Sequence, residues 1–361
     1  MKYTIDKGRG PAYQQLYRQL RDDIISGVFP YNSRLPSKRV LAEASGVSTI
    51  TIEHAYSLLC DEGYAQARER SGYFVVFRPS DGFAAPGVES APRRLAYPAA
   101  HAQPTFPYSL LSKTMRRVIT NYRDVLLEKA PNSGCVELRS ALRQYLARNR
   151  GIYVEVGQII IGSGAEYLYG LIVELLGRSR VIAIESPSYN KIEQVYQAAE
   201  VRYEALPLTG DGIDSKALSE TGADILHTTP YRSFPSGVTA SASKRHEYIR
   251  WAGTGDRYII EDDFESEFSV STVPMETLFA LSDQGNVIYL NTFSKTISPA
   301  IRVAYMVLPE KLVASFEEKL GFYSCTVPTF EQFTLAELIN NGDFERHINR
   351  VRRSKRSEMS G

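Results

Sequence analysis

The chain has 361 residues with 42 Lys and Arg against 41 Asp and Glu and 43% hydrophobic residues, the balance of an ordinary soluble protein long enough for two domains. A formal net charge of +1 confines any nucleic-acid surface to a local patch. The three cysteines (Cys60, Cys135, Cys325) fit neither a disulfide framework nor a zinc spacing, and no apolar run is long enough to span a bilayer or act as a signal peptide, so a reducing cytoplasm is expected.

In chain order, PAYQQLYRQLRDDIISG places Leu16, Leu20, Ile24 and Ile25 at helical spacing and predicts a helix stopping at Gly27. Ser37 is positioned to cap a short helix to Ala44, and Gly46 marks a turn. Ser48 then caps a second helix, TITIEHAYSLLCDEG, ending at Gly63. Two helices joined by a tight Gly-containing turn make a helix-turn-helix. The following YAQARERSGYFVVF alternates like a hairpin, with Arg68, Arg70, Ser71 and Gly72 at its tip as a wing.

From Arg78 to Pro107 the chain is rich in Pro and Ala without a sustained period, which predicts a linker over 78–107. Residues 1–77 therefore form one small domain and 108–361 a second. In the second, short apolar runs (QIIIGSG, RVIAIESPSY, ADILHTTP, RYIIEDDFESEF, GNVIYLNTFSK) alternate with amphipathic stretches such as AEYLYGLIVELL and NKIEQVYQAAE. That alternation predicts an α/β fold around a mostly parallel sheet. No internal repeat is visible.

The first domain resembles the winged helix-turn-helix of the GntR family, whose signature LPS-x-R-x-LA and GVS-x-x-T is met by Leu35-Pro36-Ser37, Arg39, Leu41-Ala42, Gly46-Val47-Ser48 and Thr51. The resemblance implies DNA contacts from Arg34, Ser37, Lys38, Arg39, Ser48, Thr49 and Thr51, and from Arg70 and Gly72 in the wing. Physically, cations at helix starts and a wing tip neutralise phosphates, while the head of the second helix reaches base edges. Thr49-Ile50 stand where the family often has Arg-Asn, which alters the expected base preference. The plainer reading is a protein-binding helical domain with a solvated basic face, since residues 1–80 hold 11 Lys and Arg against 8 Asp and Glu.

In the second domain, NTFSKTISPAIR puts Lys295 and Arg302 between two apolar β runs. A lysine at a strand end can bond covalently to an aldehyde cofactor, and pyridoxal 5'-phosphate is the obvious candidate. That cofactor also needs a carboxylate for its ring nitrogen, donors for its phosphate and a face for its ring. Asp262 ends the strand RYIIED and supplies the carboxylate. Gly164, Ala165 and Glu166 open a helix after a strand, a phosphate-binding arrangement that Ser294 and Arg302 complete. Tyr189, after a third strand, can stack on the ring. Singly, these are an ordinary loop lysine, a cap and a core tyrosine; together, at the strand ends of an α/β sheet, they form a site.

The two halves together resemble the MocR/GabR-like regulators, a GntR-type winged helix joined to an aminotransferase class I domain, through APNSGCVELRSAL, IIEDDFESEF, NTFSKTISPAIR and FERHINRVRR. The resemblance implies a transcription regulator that binds a double-stranded DNA operator, carries pyridoxal phosphate on Lys295 and responds to an amine or amino acid effector. It also implies a head-to-tail homodimer. Three departures stand out. Phe264 replaces a tyrosine whose hydroxyl would bond the cofactor's ring oxygen, and Arg232 replaces a histidine, adding a bulky cation near the ring. Relatives continue past the position of Gly361, through the arginine that clamps a substrate carboxylate, so the domain is expected to be incomplete at its C-terminus, naturally or by truncation. The cations Arg346, Arg350, Arg352, Arg353, Lys355 and Arg356 are read as a solvated helix face, with a second DNA contact as the alternative. Without the tyrosine and the clamp, productive transamination is not expected. The alternatives are a working aminotransferase with a fused winged helix, and a degenerate regulator that uses the domain only to dimerise.

Overall fold

A computed structural model describes residues 3–6, 10–69, 71–78, 106–269 and 276–360. The chain divides into two compact units, 1–99 and 100–361. Most of the 78–107 linker and Arg70 of the wing lie outside the described residues.

In the first unit, helices α1 (Ala12–Ile25), α2 (Lys38–Ser45) and α3 (Thr49–Asp61) precede the hairpin β1 (Ala65–Arg68) and β2 (Gly72–Val75). The predicted caps form. Ser37 Oγ accepts from the Val40 N–H at 3.3 Å, and Ser48 Oγ from the Thr51 N–H at 3.1 Å. Between these helices Gly46 adopts φ +65°, a left-handed turn that suits a residue without Cβ. Leu16, Leu20, Ile24, Leu41, Ile52, Ala55, Tyr56 and Leu59 form the core. One strand-like segment was not anticipated. The backbone around Arg34 lies along β2, with the Leu35 N–H donating to Tyr73 O and the Val75 N–H to Ser33 O, both at 2.9 Å.

The second unit runs α4 (Tyr108–Tyr122), α5 (Val136–Arg150), β3 (Ile159–Gly162), α6 (Ala165–Leu176), β4 (Ile182–Ser186), α7 (Asn190–Ala198), β5 (Tyr203–Thr209), β6 (Gly212–Ile213), α8 (Ser215–Glu220) and β7 (Ile225–Thr228). It continues through α9 (Ala242–Ala252), β8 (Tyr258–Asp262), α10 (Leu278–Leu281), β9 (Val287–Thr292), β10 (Ala304–Val307), α11 (Glu310–Leu320), α12 (Thr329–Asn340) and α13 (Asp343–Ser360). The eight strands lie in the order β3-β10-β9-β8-β7-β4-β5-β6. Strands β5, β4, β7, β8 and β9 run parallel; β10 is antiparallel to both of its neighbours, and β6 to β5. The expected mostly parallel α/β sheet is therefore present.

Helices cover both faces. On one, Ile182, Ile184, Ile260, Ile288, Leu290 and Met306 pack against α6, α7 and α11. On the other, Ile159, Ile161, Tyr289, Tyr305 and Val307 meet α5, α12 and α13, while Leu226 and Ile259 meet α8, α9 and α10. Because side chains alternate along a strand, this pattern fixes what happens where the apolar run stops. In β8, Tyr258 and Ile260 face α6, so Asp262 does too; Asp263 faces the opposite layer. The antiparallel β10 begins at the edge where β8 and β9 end, which returns Arg302 to the same sheet edge as Lys295.

Candidate functional site

A cleft at the carboxyl edge of the parallel strands is lined by Ala165, Glu166, Tyr189, Asp262, Ser294, Lys295 and Arg302, seven of the eight residues expected to hold a cofactor. Gly164, the eighth, immediately precedes α6 with φ +113°. A Cβ there would fall 2.5 Å from Arg302 Nη2, so the bare backbone leaves room for the guanidinium. Sequence reasoning missed Tyr169, Ile192, Thr229, Phe234 and Thr292, which complete the lining together with Phe264. Tyr169 was detectable in principle: it is four residues beyond Ala165 on one helix and so shares its face.

Asp262 is buried at the floor of the cleft, its Oδ2 accepting from the Tyr169 hydroxyl and lying 3.7 Å from His227 Nε2. His227 Nδ1 is 2.6 Å from the Tyr196 hydroxyl, so the carboxylate is backed by a buried polar chain. At the rim, Lys295 Nζ sits 3.6 Å from Glu265 Oε1 and 5.8 Å from the Phe264 ring centre. Arg232 does not line the cleft. Its Nε lies 3.8 Å from Glu265 Oε2, so it shares Lys295's carboxylate instead of approaching the ring position. Tyr189 meets Phe234 edge to face, centroids 6.0 Å apart, forming an aromatic wall.

At the other end, Arg302 Nη2 lies 2.7 Å from Glu166 Oε2, and Lys191 Nζ is 3.0 Å from Glu166 Oε1. Ser294 Oγ is 3.0 Å from Thr292 Oγ1. These donors, together with the start of α6, make an anion-binding end. The donor set suits pyridoxal phosphate: an amine at the rim, a carboxylate on the floor, an aromatic wall, and a glycine-relieved cationic cradle. Lys295 and Asp262 would hold the aldehyde and ring-nitrogen ends; Arg302, Ser294 and the α6 terminus would hold the phosphate.

A second carboxylate lies buried on β4 beside this cleft. Glu185 accepts from Thr228 Oγ1 at 2.5 Å, from the Thr229 N–H at 3.0 Å and from Ser233 Oγ. Burial pushes it up to about 7 despite those bonds, with Asp262 adding to the rise.

In the first unit, Arg34 and Arg39 are exposed, as are Thr49 and Ile50 at the head of α3. Lys38 is half-exposed, its Nζ 3.0 Å from Glu53 Oε1. Ser37 and Ser48 spend their hydroxyls on caps, and Thr51 Oγ1 lies 2.9 Å from Ser48 Oγ. Gly72, at φ +103°, lets the wing pass over Arg34: a Cβ there would sit 3.2 Å from Arg34 Nε. The α2–α3 face and the wing thus present cations and a helix N-terminus on one small unit.

Residues 12–75 match the model of bacterial regulatory proteins of the gntR family, and residues 112–359 match aminotransferase class I and II. The chain is 32% identical over 361 residues to the uncharacterized HTH-type transcriptional regulator YdeL of Bacillus subtilis, covering 97% of this chain and 78% of that one. It is 26% identical to the probable rhizopine catabolism regulatory protein MocR of Rhizobium meliloti, covering 95% of this chain and 74% of the relative. The second unit superposes on the kynurenine aminotransferase of Pyrococcus horikoshii, solved in complex with PMP, with TM-score 0.62 and 27% identity over 69% of this chain. The chain spans 64% of that enzyme's length. Among the described residues no helix is long and apolar enough to cross a membrane, and no metal cluster occurs. The chain belongs to the MocR-like HTH-type transcriptional regulators, in which a GntR-type DNA-binding unit is followed by an aminotransferase class I and II domain.

Proposed function

We propose that this regulator carries pyridoxal phosphate on Lys295, and that an amine or amino acid reaching the cleft changes how the winged helix binds its double-stranded DNA operator. The observation that carries the reading is the single cleft holding Lys295, Asp262 and the Arg302 cradle at one sheet edge. When bound, the cofactor supplies an electrophilic carbon that amines attack. The chain's own part is positional. Lys295 offers its amine at the rim, Asp262 favours a protonated ring nitrogen, and Arg302 anchors the phosphate. The PMP in the Pyrococcus enzyme, a form of the same cofactor, supports this assignment. A head-to-tail homodimer acting in the cytoplasm fits the family, and two winged helices per dimer would gain affinity by avidity.

The test is titration with pyridoxal phosphate, followed by borohydride reduction and peptide mapping. Stable label on Lys295 is expected. Label scattered over surface lysines, or none, leaves the domain as a dimerisation scaffold.

A further inference from the structure

We infer that Glu166 is a resident counter-ion of the phosphate cradle, which the cofactor's phosphate must displace or repel, so that this one side chain sets how weakly the chain holds the cofactor. The inference rests on the reading of the cleft as a phosphate-bearing cofactor site. Its argument begins with what Glu166 occupies.

A glutamate in the first turn of a helix ordinarily faces solvent and serves the helix dipole. Glu166 instead lines the cleft, with its side chain only 27% exposed. Its carboxylate takes Arg302 Nη2 at 2.7 Å with one oxygen and Lys191 Nζ at 3.0 Å with the other. It also accepts from its own backbone N–H at the start of α6. Those are three donors of the kind a phosphate needs. Partial burial raises its pKa, but Lys191, the backbone N–H and Arg302 outweigh that and bring it down to about 2. The carboxylate is therefore charged throughout the working pH range.

Charge counting shows the consequence. Arg302 and Lys191 against one carboxylate leave the cradle with a single net positive charge. A phosphate dianion would take it to a single net negative charge; with a neutral residue at 166 the same dianion would bring it to zero. A dianion meets twice the repulsion from the Glu166 carboxylate that a single charge would, while exposure of Arg302 and Lys191 screens part of it. Glu166 thus opposes phosphate binding without touching the covalent chemistry at Lys295. A regulator built this way loads its cofactor reversibly.

The experiment compares the full chain with its Glu166→Gln variant, which keeps the side chain's size while removing the charge. Affinities for inorganic phosphate, pyridoxal phosphate and pyridoxal are measured by thermal shift and absorbance titration. Both phosphate-bearing ligands should bind about tenfold tighter to the variant, the order expected from removing one screened charge repulsion, while pyridoxal is unchanged. Equal or weaker phosphate binding, or an equal gain for pyridoxal, overturns the inference. Should inorganic phosphate gain while pyridoxal phosphate binds neither form, the counter-ion role stands and the cofactor reading fails. If Glu166→Gln does not fold, Glu166→Ala, which removes the charge without adding a donor, carries the comparison.

Discussion

Asp262 owes its position to strand parity, which also separates it from its neighbour, while Lys295 sits in the turn just past β9. Asp263, turned to the opposite layer, accepts from Arg150 Nη2 at 2.5 Å and from the Tyr289 hydroxyl at 2.7 Å, all three buried. Removing one partner of such a pair leaves an uncompensated charge, so Asp263→Ala should cost about 3–5 kcal/mol of stability in urea denaturation. A loss below about 1 kcal/mol would show that Arg150 finds water or Glu267 instead. Phe264 lines the cleft but carries no hydroxyl. We expect Phe264→Tyr to add one hydrogen bond, worth about 0.5–1.5 kcal/mol, and to tighten pyridoxal phosphate binding in the same absorbance titration. Unchanged affinity would mean that the ring at this position does not face the cofactor's oxygen. The lysine, the aspartate and the cradle were legible because each follows a recognisable strand. Tyr169, His227 and Glu185 were not, because a tyrosine in an apolar helix, or a polar residue inside a strand, looks like core until the fold shows what it faces.

Among the elements, the helices of the first unit were readable from their ends. Ser37, Gly46 and Ser48 each carry a local mechanism that works without the rest of the chain. Ser48→Ala should cost about 1 kcal/mol in thermal unfolding by removing the acceptor for the Thr51 N–H; no change would mean that water or Thr51 itself replaces it. The segment along β2 was not readable. Asn32-Ser33-Arg34 has no alternating pattern, and its pairing is imposed by the partner strand. The hairpin of β5 and β6 escaped for a similar reason: β5 contains Pro207 and is mostly partly exposed, so its apolar signal is weak. On the α2–α3 face, Arg39 and the 64% exposed Ile50 are expected to act differently toward DNA. Arg39→Ala should weaken binding by about 1–3 kcal/mol if it reaches a base, or uniformly across sequences if it reaches a phosphate. Ile50→Ala should chiefly change preference, since an exposed aliphatic group at the head of a recognition helix can read a thymine methyl. Fluorescence anisotropy on duplexes differing at single positions separates the two, and equal losses on all duplexes for Ile50→Ala would remove it from base reading.

At the scale of the molecule, buried carboxylates tie stability to pH. Burial raises Glu185 to about 7 and Glu261 to about 8, the latter helped by Asp263 and opposed by the Leu278 and Phe279 N–H groups. An unfolded glutamate titrates near 4.3, roughly, so the folded chain binds these protons more tightly. Their stabilising contribution is complete below that value and is lost as pH rises through about 7 to 8. Urea denaturation should therefore show the second unit weakening from mildly acid to mildly alkaline pH, with a shallower slope in Glu261→Gln; a slope unaffected by that change would contradict the assignment. The proposed function makes one further demand, that chemistry at Lys295 be felt at the DNA. The direct measurement is the affinity of the full chain for a duplex it selects from a random pool, with and without pyridoxal phosphate and a panel of amines and amino acids. The account predicts that affinity changes severalfold when cofactor and at least one amine are present, and that Lys295→Ala still binds DNA but no longer responds. DNA binding that is indifferent to every addition, or that responds equally in Lys295→Ala, would contradict it.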